Sequence, residues 1–178
     1  MLPTAAKPRT LTVSNANRGK GLEELLAWQH AIYEARGLYV QQNPTPYKPL
    51  RAGHRPPELV VVPLGEAPPD YLLVADGVAY LLDAKSTREE RWSLDNLKGH
   101  QAASFSRWER QGSTFRAGVV LQLAAGPLWW LPWAALAPAW ETWRDGRARR
   151  GEASLGEDWL AANARRVVGV DWLAVARS

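Results

Sequence analysis

The chain has no cysteine, one methionine, two phenylalanines and three histidines among 178 residues. Each scarcity removes a class of function. Without cysteine there is neither a disulfide framework nor a thiolate metal site. His30, His54 and His100 are too few and too scattered for a zinc cluster. Long apolar runs are missing as well. The longest, from Ala124 to Trp140, is broken by Gly126, Pro127, Pro132 and Pro138, so no segment is long enough to cross a bilayer. A few basic residues open the chain with no apolar stretch behind them, which does not fit a secretory signal. A cytoplasmic protein is expected, with no membrane association and no small-molecule cofactor.

What is abundant points to a polyanion. Lysine and arginine total 22 against 18 acidic residues, for a net charge of +4, and arginine dominates. The planar guanidinium fork matches phosphate, so the bias fits a nucleic-acid partner. A GC-rich coding sequence would enrich Arg, Ala, Gly, Pro and Trp equally, and composition leaves both explanations open. Absent Cys, a single Met and 13 prolines also fit a thermophilic source.

The length suits one domain. Residues 1–16 read as a flexible basic arm, in which Lys7 and Arg9 are candidate DNA contacts. Asn17-Arg18-Gly19-Lys20 precedes a helix expected over Leu22 to Ala35. That turn reads equally as helix capping and as an anion site where Arg18 and Lys20 meet phosphate. Leu38 to Gln42 reads as a strand. Residues 43–69 hold eight prolines and are too long for an ordinary connection, so a protrusion is expected, with a strand near Glu58 to Pro63. Tyr71 to Ala75 and Val78 to Asp83 flank Asp76-Gly77, a strong hairpin signal. A helix is expected over Leu94 to Gln111, and strands over Ala117 to Leu123 and Leu128 to Trp133. From about residue 134 a helical extension follows, with helices near Ala134 to Arg144 and Glu157 to Ala164 and a last strand near Val167 to Val175. This order predicts an α/β fold, a mixed central sheet flanked by helices.

One constellation carries chemistry. Asp70 follows Pro69, twelve residues intervene, and Asp83-Ala84-Lys85 ends the second hairpin strand. Residues i and i+2 of a strand share a face, so Asp83 and Lys85 project together. The hairpin returns the chain so that Asp70 faces Asp83. Two converging carboxylates suit a hard cation such as Mg²⁺, and a nearby lysine suits a scissile phosphate or the water attacking it. Gln101 falls within the apolar stripe of Leu94, Leu97, Phe105 and Trp108, so it should point inward. There it either bonds local backbone or turns its carbonyl toward the metal. His100 lies one position round the helix, as a DNA or surface contact. Glu23 and Glu24 are both candidates for a further carboxylate, and composition does not choose between them. The tryptophans read as core or interface, and Arg144, Arg147, Arg149 and Arg150 as either a phosphate track or a solvated loop.

Taken together, Asn17-Arg18-Gly19 with Leu22-Glu23, Asn43-Pro44-Thr45-Pro46, Asp70-Tyr71, Asp83-Ala84-Lys85 and His100-Gln101 resemble, in order and spacing, the RecU-type Holliday junction resolvases. The shorter archaeal Hjc resolvases share part of the pattern. The resemblance spans roughly residues 17–133. It implies a restriction-endonuclease-like PD-(D/E)xK core in a single domain over residues 17–178. It also implies a homodimer, Mg²⁺ dependence with Mn²⁺ substituting, and paired symmetric nicks in four-way DNA. By motif position it selects Glu23 over Glu24. It assigns Glu23, Asp70, Asp83 and Gln101 to metal and Lys85 to transition-state stabilisation, and it reads residues 43–69 as a stalk entering the junction. Two positions depart from the family: Asp83 stands where the glutamate is expected, and Pro68 where a threonine is. The rival expectations are a nuclease of the same superfamily acting on duplex or flap DNA, and a DNA-binding protein without catalysis.

Overall fold

The structure, a computed structural model, describes residues 20–44, 47–50, 60–63, 66–147, 149 and 152–178. The basic arm with Lys7 and Arg9 lies outside the described residues, as does Arg18. Helix α1 (Lys20–Ala35) buries Leu22, Leu26, His30 and Tyr33 along one face. It stops at Gly37, whose φ of +83° is the left-handed conformation that ends helices. Strand β1 (Tyr39–Gln42) follows. Within the proline-rich segment, β2 (Tyr47–Leu50) and β3 (Val60–Pro63) pair with each other and, among the described residues, with no other strand.

The central hairpin forms as expected. β4 (Tyr71–Ala75) and β5 (Val78–Thr87) are joined through Asp76 and Gly77, both at positive φ (49° and 76°). That conformation matches the twist of the paired strands. β6 (Arg91–Ser93) and a 3₁₀ turn (Leu94–Asn96) lead into α2 (Gly99–Glu109). β7 (Phe115–Leu123), β8 (Leu128–Pro132), α3 (Trp133–Arg144), β9 (Ser154–Gly156), α4 (Glu157–Asn163), β10 (Arg165–Arg166) and α5 (Trp172–Ala176) complete the chain. The main sheet runs β1-β4-β5-β7-β8-β10. β5 and β7 are parallel, connected across α2, and the other pairings are antiparallel. The expected mixed α/β sheet is therefore present.

Strand alternation divides the interior into two cores. Leu81, Val119, Leu121 and Trp129 pack with Phe105 of α2, Trp133, Leu136 and Trp140 of α3, and Leu160 of α4. Leu82, Val120 and Trp130 face the other way, against Leu22, Leu26 and Tyr33 of α1 and Trp172 and Leu173 of α5. Trp130 stacks on Trp172 with centroids 5.5 Å apart. Gly118 makes room for this: a Cβ there would lie 2.5 Å from the Leu131 carbonyl and 2.7 Å from the Trp130 ring. Three bonds fasten α5 to α1. The Trp172 indole N–H donates to His30 Nε2 (3.1 Å), Tyr33 donates to Asp171 Oδ1 (2.6 Å), and the Leu173 N–H donates to Tyr33 (3.2 Å).

Several expectations need correction. The helix expected from Leu94 begins only at Gly99, because Leu94 and Leu97 lie in and just after the 3₁₀ turn, although both remain core residues. The last strand, expected over Val167 to Val175, is replaced by the short β10 and by α5. Gly169 (φ +61°) interrupts the apolar run, and the Asp171 carboxylate caps the helix by accepting from the Ala174 N–H at 3.2 Å. The antiparallel pair β6–β9 was not foreseen.

Candidate active site

The site lies where the central hairpin meets α2. In the β4–β5 ladder Tyr71 pairs with Leu82, so one further step sets Asp70 across from Asp83. Asp70 is held there by its own side chain, since Oδ2 accepts the Ala84 N–H at 2.8 Å. Asp83 is fully buried. The Lys85 ammonium stands 2.6 Å from its Oδ2 as an ion pair, and beyond that Oδ2 has no hydrogen-bond partner among the described residues.

Gln101 reaches in from the first turn of α2. Its Nε2 donates to Asp83 Oδ1 at 2.9 Å, and its Oε1 accepts the Lys98 N–H at 3.1 Å. The orientation of this amide is fixed by chemistry, because a backbone N–H only donates: Oε1 must face the Lys98 N–H, which leaves Nε2 for Asp83. One side chain thus caps a helix and holds a carboxylate.

The electrostatics follow from burial. The Asp83 carboxyl is pushed up from 3.8 to about 7, chiefly by loss of water; Lys85 pulls it down and Asp70 pushes it further up. The Tyr71 hydroxyl is raised to about 12, first by burial and then by the charges of Asp70, Glu23 and Asp83. Glu23 therefore acts on the same tyrosine as the two aspartates, from the exposed side of the first turn of α1. Among the described residues no three His, Asp or Glu side chains are gathered closely enough to hold a metal, so Glu23 does not complete a ligand set with Asp70 and Asp83.

A divalent cation fits the donors that are gathered. Two carboxylates face each other, one fully buried with an oxygen met by the Lys85 ammonium, and hard oxygen donors of this kind suit Mg²⁺.

The remaining candidates lie further out. His100 Nδ1 is 3.5 Å from Glu66 Oε1, at the end of the proline-rich segment. Lys20 opens α1, but its side chain lies outside the described residues. In the arginine-rich loop, Arg144 and Arg147 both pair with Asp145 (3.0 and 2.9 Å). Arg144 also lies over the Trp140 ring at 5.1 Å. Among the described residues Trp28, at 61%, is the one largely exposed tryptophan. Asn43 was read only as part of a proline-rich motif, yet its side chain donates to the Pro69 carbonyl (2.8 Å), next to Asp70. The adjacency of Asn to a proline-rich excursion was the available signal.

Fold and site together define an α/β protein in which a buried aspartate faces a half-buried one, with a lysine two residues on, at the end of a central hairpin. The family model of RecU, Recombination protein U, matches residues 17–176, and the chain belongs to that Holliday junction resolvase family. The match carries the likeness beyond residue 133, through the C-terminal helices. A solved structure of Hjc, a Holliday junction resolvase from the archaeal hyperthermophile Archaeoglobus fulgidus, is similar at 12% identity and a TM-score of 0.46. The alignment covers 79% of this chain and 93% of that one. A comparison with curated proteins finds no match.

Proposed function

We propose that the protein is a metal-dependent endodeoxyribonuclease that resolves four-way DNA junctions by paired nicks, acting as a homodimer in the cytoplasm. The observation that carries this reading is Asp83, a fully buried carboxylate facing a second acid and paired with Lys85. A carboxylate without water is costly unless a cation offsets it, and a lysine alone does so incompletely. Mg²⁺, with Mn²⁺ as a substitute, would be held by Asp70 and Asp83; Glu23, which stands apart from them in the fold, would join only by moving toward the ion. When bound, it polarises the phosphoryl group and acidifies a water.

The protein's own groups do the rest. With the ion bound, Asp83 would turn to it in place of Lys85. Lys85, so released, donates to the scissile phosphate oxygen or holds the attacking water. Gln101 is linked to the metal through Asp83, by keeping Oδ1 fixed, since its own carbonyl is engaged at the Lys98 N–H. Residues 17–178 act as one nuclease domain and residues 1–16 as an arm. Lys7, Arg9, Arg18, Lys20 and His100 contact DNA, and the segment 43–69 enters the junction. A four-way junction has approximate two-fold symmetry, so matching nicks call for two sites in a symmetric dimer.

The test compares cleavage of a four-way junction with that of a linear duplex of the same sequence, both with Mg²⁺. Selective, symmetric cutting of the junction is expected, with binding that weakens steeply as salt rises. Equal rates on both substrates would replace this reading with that of a duplex nuclease. Binding without any cutting would leave a DNA-binding protein.

A further inference from the structure

Asp70 faces a local difficulty created by the residues before it. Pro68 and Pro69 carry no backbone N–H, so no ladder donor pins the chain as it enters β4. The carboxylate that faces Asp83 therefore needs another hold on its backbone. Asn43 stands at the other foot of the proline-rich segment. The β1–β4 register pairs Gln42 with Tyr71, and one step further pairs Asn43 with Asp70. The Asn43 N–H donates to the Asp70 carbonyl at 2.7 Å, and its Nδ2 donates to the Pro69 carbonyl at 2.8 Å. Main chain and side chain of one residue thus grip the two successive carbonyls on either side of the Asp70 Cα.

The amide does not grip at random. Gln41 Nε2 donates to Asn43 Oδ1 (3.1 Å), and the Tyr39 hydroxyl donates to Gln41 Oε1 (2.6 Å). Tyr39 and Gln41 share one face of β1, Asn43 continues the alternation just past its end, and their bonds run in one direction toward the Pro69 carbonyl. With Asp70 across from Asp83, the residues Asn43, Asp70 and Asp83 form one row over three adjacent strands.

We infer that Asn43 is a positioning residue that sets Asp70 for metal binding and ties the foot of the proline-rich segment to the site. The inference rests on the reading above that Asp70 is a metal ligand. Residues that orient a ligand typically change metal affinity or activity by about 10–100-fold when removed.

The experiment titrates Mn²⁺ into the full-length protein by calorimetry, for wild type, Asn43→Ala, Gln41→Ala and Asp70→Asn. Thermal melting and junction binding in EDTA are measured alongside. Asn43→Ala is expected to weaken Mn²⁺ binding by about 10–100-fold, with a melting temperature close to wild type. Gln41→Ala, which frees the Asn43 amide to rotate, is expected to weaken it less, in the same direction. Should Asn43→Ala fail to fold, Gln41→Ala decides. Wild-type Mn²⁺ affinity in whichever of the two decides overturns the inference. Asp70→Asn with wild-type affinity and cleavage would instead overturn the reading on which it rests.

Discussion

Replacing Asp83 by asparagine is expected to stabilise the metal-free protein while removing its cleavage activity, and the size of the first effect follows from the carboxyl's surroundings. The native state holds the Asp83 proton up to about pH 7, whereas the ordinary value is 3.8. The native state therefore binds more protons than the unfolded chain between those limits, and stability falls as pH rises through the window. Each pH unit there is worth at most about 1.4 kcal/mol, so the buried charge destabilises the apo protein by up to roughly 4 kcal/mol above pH 7.

His30 acts in the opposite sense. Burial lowers its imidazole from 6.5 to about 4, so its contribution is full above pH 6.5 and is lost as pH falls toward 4. The two slopes oppose each other in wild type, which makes the difference between variant and wild type the informative quantity. The substituted asparagine keeps an oxygen for the Gln101 amide, and Lys85, at 20% exposure, can turn to water. Urea denaturation in EDTA at pH 5, 6, 7 and 8 measures the difference. It should grow by about 1 kcal/mol per pH unit up to pH 7 and then level off. Saturating Mg²⁺ should stabilise wild type alone, narrowing the gap, while the variant binds junctions in EDTA but does not cut them. A flat difference between pH 5 and 7, or a variant less stable than wild type at pH 8, would refute the reasoning.

Two further outcomes follow from the same geometry. Lys85→Met removes the ammonium but keeps a side chain of similar length. Single-turnover cleavage should fall about 10²–10³-fold, and the acid limb of its pH profile should move up, because Lys85 holds the Asp83 carboxyl down. A rate within tenfold of wild type would remove Lys85 from the chemistry. Gly118→Ala places a methyl against the Leu131 carbonyl and the Trp130 ring, and overpacking of this kind typically costs 1–3 kcal/mol, on the order of several degrees of melting temperature. An unchanged melt would contradict the packing of Trp130 on β7.

The sequence made some of this legible because the relevant signals are local. Asp76-Gly77 specified its turn through left-handed backbone, and strand alternation put Asp83 and Lys85 on one face. Gln101 was recognisable as inward-facing because it interrupts an apolar stripe, and it is buried. Leu94 and Leu97 extended that stripe without belonging to the helix, since burial at helical spacing also arises in a 3₁₀ turn that packs on the same core. The apolar stretch Val167 to Val175 has strand composition, but one left-handed glycine and one capping aspartate outweigh it. The β6–β9 pairing joins segments about sixty residues apart, and no local pattern announces it. Choosing Glu23 over Glu24 needed the family motif. In the fold, Glu23 is the one whose charge reaches Tyr71 together with those of Asp70 and Asp83.

The split of the interior into two cores also bears on which length changes the chain tolerates. Along β5 neighbouring residues answer to different helices: Leu81 and Asp83 to α2, Tyr80 and Leu82 to α1 and α5. Insertion or deletion of a single residue within β5 inverts the parity of everything beyond it. Asp83 would enter an aromatic core with no amide or ammonium to meet it, while leucine would occupy the acidic site. Folding and chemistry thus impose the same odd-or-even condition on this strand. Length variation should accordingly be confined to the turns between strands, where no such parity applies.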